Sequence, residues 1–286
     1  MQHTLDAFLS HLSAQGDTPA GTLMAYRTDL NQLIPFLADR GVNTVDLLCA
    51  EDLVAFTEWL YERGYASATI ARRVVSLRAL GVFLVQAGIL PANPCADLRP
   101  PAVRRTLRPT LTPAQIEALR TLVLRNRTAD GWRDHAILEV LTASALRVSD
   151  LMALNVEDIS LDHATLLVHA RSGKLRTVPL PAQAVMALAT YLQLGRPKLQ
   201  RANHAEPGLF LNQQGERLTR QGCWVVLKGY ARQLGLDELS PEVLRQSVAA
   251  HRFANGATVD EVQALLGHAT RKTTEVYQPA APIAAF

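Results

Sequence analysis

A mainly α fold with one small β-sheet is predicted for this 286-residue chain. Three features carry the prediction. Apolar residues recur at helical spacing through residues 4–95. A run of prolines and arginines from Pro91 to Pro109 then breaks the periodicity. Beyond it helical patterns return, interrupted by short β-branched runs between turn residues. The expected organisation is a helical domain over 1–97, a basic Pro-rich linker over 98–110 and a longer α+β domain over 111–286.

In the first domain Leu5, Phe8, Leu9 and Leu12 form one apolar stripe. Met24, Leu30, Leu33, Phe36 and Leu37 form a second, and Leu53, Phe56 and Leu60 a third. The segment Ser67–Arg78 carries apolar residues on one face and Arg72, Arg73 and Arg78 on another. Such a helix buries one side and offers its arginines to phosphates, or simply presents a solvated basic face.

The linker gathers Pro91, Pro94, Pro100, Pro101 and Pro109 with Arg99, Arg104, Arg105 and Arg108, which rules out a regular helix. A stiff cationic strap, with Arg104 and Arg105 as candidate phosphate contacts, suits two domains closing around a polyanion; an ordinary polar linker is the plainer alternative.

In the second domain Thr112, Pro113 and Gln115 make a well-formed helix start. A further helix is expected through Ala136, Ile137, Val140, Leu141 and Leu146, then short strands at 159–161, 165–169 and 176–178, with turns at Asp162-His163 and Ser172-Gly173. Three helix boundaries follow. Ser240 is a credible N-cap with Pro241 at N1, so Glu242 and Arg245 lie one turn apart. The next helix opens at Thr258 with Glu261 as its capping-box partner and stops at Gly267, leaving His268 just past its end. A last helix begins near Thr270 and is expected to hold Tyr277 about two turns in.

Bulk properties bound the possibilities. Hydrophobic residues at 48% and charged residues at 19% exclude a disordered chain. No apolar run reaches the roughly 20 residues needed to span a bilayer. The start, Met1-Gln2-His3-Thr4-Leu5-Asp6, lacks the basic and apolar segments of a secretion signal, so a cytoplasmic location is expected. Cys49, Cys95 and Cys223 are far apart and odd in number, which suits reduced, partly buried thiols. The net charge of +3 is compatible with a nucleic-acid partner without demanding one.

Taken singly, each helix boundary is common; their order is not. Leu146-Arg147-Val148-Ser149-Asp150-Leu151, then Arg171-Ser172-Gly173-Lys174-Leu175-Arg176-Thr177-Val178-Pro179-Leu180, Leu244-Arg245, Leu265-Leu266-Gly267-His268 and Thr273-Thr274-Glu275-Val276-Tyr277 follow one another. This succession resembles the catalytic domain of the tyrosine recombinase, or lambda integrase, family, nearest its Xer-like members, and residues 4–95 resemble the family's N-terminal domain. The resemblance implies a SAM-like helical DNA-binding domain and an α+β catalytic domain forming a C-shaped clamp on double-stranded DNA. It implies site-specific recombination through a 3′-phosphotyrosine, with no metal, ATP or other cofactor. It assigns Tyr277 as nucleophile, Arg147 and Arg245 to the scissile phosphate, and His268 beside them. It also implies a tetramer on paired sites, homomeric or with a partner recombinase, and a C-terminal tail, Gln278–Phe286, that docks on a neighbouring subunit or stays disordered.

The chemistry supports these roles. Attack by a phenolate on a phosphodiester gathers negative charge on the nonbridging oxygens, and two permanently charged guanidinium forks stabilise it. No carboxylate cluster with metal-ligand spacing is present, as a metal-free mechanism expects.

Three positions depart from the family pattern. Glu242 stands where a histidine is usual; it either accepts the proton of Tyr277, holds Arg245 in an ion pair, or marks a weakened or inactive DNA-binding relative that regulates an active partner. The general-acid lysine of the β-hairpin aligns with Arg171, so Lys174 takes that role from the turn or Arg171 supplies charge alone. Ala145 replaces a glycine two residues before Arg147.

Overall fold

The computed structural model describes residues 1–103, 109–169, 175–202 and 205–278. Arg104 and Arg105, Arg171 and Lys174, and the tail from Pro279 onward lie outside the described residues. By internal contacts the chain divides into two units, Met1–Arg105 and Thr106–Phe286.

In the first unit the apolar stripes become four helices, α1 (Gln2–Ala14), α2 (Ala20–Asp39), α3 (Ala50–Glu62) and α4 (Ser67–Gln86). Phe8, Leu33, Leu37, Phe56, Leu60, Val74 and Leu84 meet in one core. A charge lies inside it: Asp29 of α2 is 1% exposed. Arg72 Nη1 donates to its Oδ2 at 2.6 Å, Ser76 Oγ donates to the same oxygen at 2.8 Å, and Arg73 Nε stands 3.7 Å from Oδ1. Arg73 also covers the Tyr65 ring at 4.1 Å. Arg72 and Arg78 are exposed, whereas Arg73 is buried. The expectation of three outward arginines therefore fails at Arg73, whose charge is spent on Asp29.

The second unit is built on α6 (Ala129–Ser144), buried nearly all round, with α5 (Pro113–Leu124) against it. The Thr112–Gln115 capping box that starts α5 is present. After α7 (Val148–Ala153) come β1 (Ile159–Ser160), β2 (Thr165–His169) and β3 (Leu175–Pro179), an antiparallel sheet in the order β1-β2-β3. Leu166 pairs with Val178 and Val168 with Arg176, so Arg176 shares the inward face with three buried aliphatics. The helices α8 (Ala182–Thr190), α9 (Arg196–Leu199) and α10 (Arg220–Gln233) lead to α11 (Pro241–Ala254), α12 (Val259–Leu266) and α13 (Arg271–Glu275). None of the described helices is long and apolar enough to cross a membrane.

All three cysteines are free; Cys95 and Cys223 are buried, but Cys49 is exposed at the start of α3, contrary to the expectation of partial burial.

Candidate active site

Local sequence sets the frame. Ser240 Oγ accepts from the Val243 N–H and Pro241 occupies the first turn, which starts α11 and puts Glu242 outside and Arg245 inside. Thr258 and Glu261 close the capping box of α12. Gly267 ends α12 in the left-handed region at φ +62°, turning the chain so that His268 follows immediately.

Arg245 is the centre, at 3% exposure. Its Nη1 donates to the Ala145 carbonyl, and its Nη2 donates to the Leu266 carbonyl at 2.6 Å and lies 3.1 Å from His268 Nε2. Among the described residues its hydrogen-bond partners are thus carbonyls and a histidine, not a carboxylate, and the ion pair with Glu242 expected as one alternative is not formed. Burial, then the nearby Arg147 cation, lower Arg245 to about 10, against the opposing pull of Glu242 and Tyr277.

Since a guanidinium only donates, His268 Nε2 accepts, and the ring proton falls on Nδ1, which lies 2.9 Å from Thr274 Oγ1. Thr274 is fully buried and so fixes the ring plane. Tyr277 stacks on that ring, with centroids 6.0 Å apart and planes 23° apart, and its Oη donates to Glu242 Oε1 across a long 3.4 Å. Tyr277 does not sit two turns inside a helix. α13 ends at Glu275, and the Tyr277 N–H bonds to the Thr274 carbonyl three residues back, in a tightened turn. Spacing alone suggests a helical Tyr277, but Pro279 two residues later disfavours continuing the helix.

Arg147 is the N-cap residue of α7, its side chain 41% exposed and 4.0 Å from Asp150. It lies two residues beyond the turn at Ala145, which adopts φ 47°, ψ 33°. That left-handed conformation turns the chain out of α6, and the Ala145 carbonyl meets Arg245 there. Arg147, Arg245, Glu242 and Ser240 line one cavity of about 390 Å³ together with Arg220 and Trp224 from the start of α10. The floor nearby is small and apolar: Ala145, Val248, Ala249, Val262 and Leu266, with Tyr277 packed on it.

The structure brings together Arg147, Arg245, His268, Glu242 and Tyr277. Arg72, Arg73 and Arg78 belong to the other unit, and Arg171, Lys174, Arg104 and Arg105 lie outside the described residues. Sequence reasoning gave no role to Thr274, Arg220, Trp224 or Arg176. Arg176 carried a legible signal: it is in phase with Val178 and Leu180, so a period of two places a cation on the inward face of a strand.

Residues 109–282 match the model of the phage integrase family, and residues 5–88 match that of the phage integrase N-terminal SAM-like domain. Tyrosine recombinase XerC of Roseiflexus sp. (strain RS-1) is 41% identical over 278 residues, 97% of this chain and 89% of that protein. Tyrosine recombinase XerD of Listeria innocua serovar 6a is 34% identical over 279 residues, covering 97% and 94% of the two chains. Among solved structures, the Tn1549 transposon integrase in complex with a circular intermediate DNA has the same fold, with a TM-score of 0.76 at 16% identity over 98% of this chain and 96% of that one.

Proposed function

The chain belongs to the phage integrase family, and from that premise we propose that it is a site-specific DNA recombinase in which Tyr277 cleaves and Arg147, Arg245, His268 and Glu242 complete the site. The supporting observation is the stacking of Tyr277 on a histidine that is itself bonded to a buried, carboxylate-free arginine.

Tyr277 Oη attacks the scissile phosphorus, the bond to the 5′-oxygen breaks, and a 3′-phosphotyrosine forms. Arg245 from below and Arg147 from the cavity rim hold the nonbridging oxygens as charge accumulates on them. The phenol, with a reference pKa near 10, gives up its proton to Glu242, to which it already donates a hydrogen bond. The departing 5′-oxygen takes a proton from Lys174, since a guanidinium such as that of Arg171 does not release one. Because the phosphotyrosine keeps the bond energy, a second 5′-hydroxyl reverses these steps on a new partner strand without ATP.

A carboxylate where the family has a histidine is thereby a replacement base, so Glu242 does not favour a noncatalytic reading. Arg72 and Arg78, and the linker arginines Arg104 and Arg105, contact phosphates and set register on the duplex. Exchange between two duplexes takes four copies, or copies of this chain with a partner recombinase, on paired sites, and the work is done in the cytoplasm where the chromosome lies.

The test is a suicide substrate carrying a selected binding site and a nick near the cleavage point. Wild-type protein is expected to become covalently attached and Tyr277→Phe to bind without attachment. Absence of any adduct with wild-type protein on a verified site would overturn the reading.

A further inference from the structure

The last three carbonyls of α12 are taken by two arginines from two different elements. Arg176 Nη1, reaching from β3, donates to the Ala264 carbonyl at 3.2 Å and the Leu265 carbonyl at 3.0 Å. Arg245, from α11, takes the Leu266 carbonyl. The Arg176 guanidinium also fills the space beside the next residue: a Cβ on Gly267 would fall 2.9 Å from Arg176 Nη1 and 3.0 Å from its Cζ. Gly267 is required by its positive φ, and any Cβ there would also push the Arg176 guanidinium off its carbonyls.

We propose that Arg176 is a positioning residue for the cleavage reaction, clasping the β3 strand to the C-terminus of α12 so that Gly267 holds His268 between Arg245 and Thr274. The proposal rests on the recombinase reading above and deepens it.

Four points support it. The carbonyl end of a helix carries partial negative charge, so a cation there is favoured over any neutral donor, and the Arg176 Nη1 group, held in the plane of its guanidinium, gives its bonds to two successive carbonyls. Burial lowers the Arg176 guanidinium below its usual range, so the strand carries this charge inward at a cost that the carbonyls offset. Arg147 and Asp150 act on it through space, the first lowering it and the second raising it, so Arg176 stands within the electrostatic reach of the phosphate-binding edge. Among the described residues its hydrogen bonds, however, go to backbone, with none to a catalytic side chain. A residue so placed acts on geometry: it sets where the chain leaves α12, and His268 is the first residue past the stop.

The decisive measurement is epistasis on the nicked suicide substrate, read as the single-turnover rate of covalent attachment alongside DNA affinity by gel shift. Arg176→Ala is expected to cleave on the order of 10- to 100-fold more slowly with an unchanged Kd. In a His268→Ala background the same substitution should have almost no further effect, because the ring it positions is gone. Arg176→Lys should recover part of the rate, through a single bond to one carbonyl. If the loss is equally large in the presence and absence of His268, or if Arg176→Ala cleaves at the wild-type rate, the proposal is overturned. Should Arg176→Ala fail to fold, Arg176→Lys with and without His268→Ala carries the same comparison. Failure of the wild type to attach would sink the recombinase reading, whereas normal attachment with additive losses would sink only the role of Arg176.

Discussion

Arg73 in the first unit and Arg245 in the second are both nearly sealed from solvent, at 7% and 3% exposure. Their partners differ in kind. Arg73 faces the buried carboxylate of Asp29, which also binds Arg72 and Ser76, and its charge is neutralised within the fold. Arg245 is surrounded by two carbonyls and an imidazole, with a second cation, Arg147, close enough to depress it further. A buried charge matched by a carboxylate is part of the architecture; one matched only by dipoles retains its attraction for an outside anion. The first unit sets carboxylate against cation, although Asp29 Oδ1 and Arg73 Nε and Nη1 lie buried without a hydrogen bond among the described residues, and the second leaves room for a phosphate.

The contrast can be measured separately in each unit, because each holds one buried thiol. Burial pushes Cys95 up to about 11 and Cys223 to about 12, so both resist alkylation until their own unit opens. In a Cys49→Ser background, which removes the exposed thiol, alkylation of Cys95 reads the first unit and that of Cys223 the second.

The largest expected effect is on chemistry without stability. Arg245→Met should slow covalent attachment by about 1,000-fold or more, since one of two charges on the transition state is gone. Cys223 should stay close to its wild-type protection, because relief of a buried cation that no carboxylate neutralises offsets the loss of its hydrogen bonds to the Ala145 and Leu266 carbonyls. Rapid alkylation of Cys223 in this variant would place Arg245 with Arg73 as a structural charge and erase the contrast.

The mirror experiment reverses the outcome. Asp29→Asn strands Arg73 in the first unit and should cost about 3 kcal/mol or more of its stability, seen as faster alkylation of Cys95 with Cys223 unaffected. Once the variant is bound to DNA, its rate of attachment should match the wild type.

Glu242→Gln separates affinity from rate. Removing a negative charge from the rim of the phosphate cavity should tighten DNA binding, while loss of the proton acceptor should slow attachment by about 100-fold. Tighter binding with an unchanged rate would leave Glu242 as charge alone.

The pH behaviour of Arg245 has a definite sign. Its folded value, about 10, lies below the 12.5 of the free group, so the cost of burying the charge is fully present at every pH below about 10 and shrinks only above it. At neutral pH the cation therefore persists, and an anion that pairs with it stabilises the second unit. Inorganic phosphate at ten times its Kd should slow Cys223 alkylation about tenfold, roughly 1.4 kcal/mol, and leave Cys95 unchanged. Equal protection of both thiols would reduce this to a general salt effect.

What the sequence disclosed of the two arginine sites follows from the range of the interactions. Ser240 with Pro241, Thr258 with Glu261, and the stop at Gly267 act within one turn, so these helix ends were readable and they place Arg245 and His268. Arg73 stands three residues after Ile70 and four before Leu77, so helical spacing itself puts it on the buried stripe; what spacing does not show is its partner there, Asp29, 43 residues before Arg72 on another helix. Arg176 meets a carbonyl 88 residues away, a contact no local pattern encodes, although its place in the strand period marked it as inward. Arg171 and Lys174 fall outside the described residues, so their assignment rests on motif order.

Ala145 gives the smallest effect and tests how the open site is built. Presenting its carbonyl to Arg245 puts a residue with a Cβ at φ 47°, a conformation that costs such residues about 1 to 2 kcal/mol. Ala145→Gly removes that strain but gives up a buried methyl, about 0.8 kcal/mol, and frees the unfolded chain by about 0.5 to 1 kcal/mol. The opposing contributions nearly cancel, so Cys223 protection should change by less than about 1 kcal/mol, and attachment should proceed at the wild-type rate. Ala145→Val cannot escape the same way: a β-branched residue in the left-handed region also crowds Val248 and Ala249, so it should open the unit and slow attachment together. If Ala145→Gly instead slows attachment while leaving Cys223 protected, the alanine methyl is itself holding the carbonyl on Arg245. The second unit would then be using stored strain for what the first achieves with the Asp29 carboxylate.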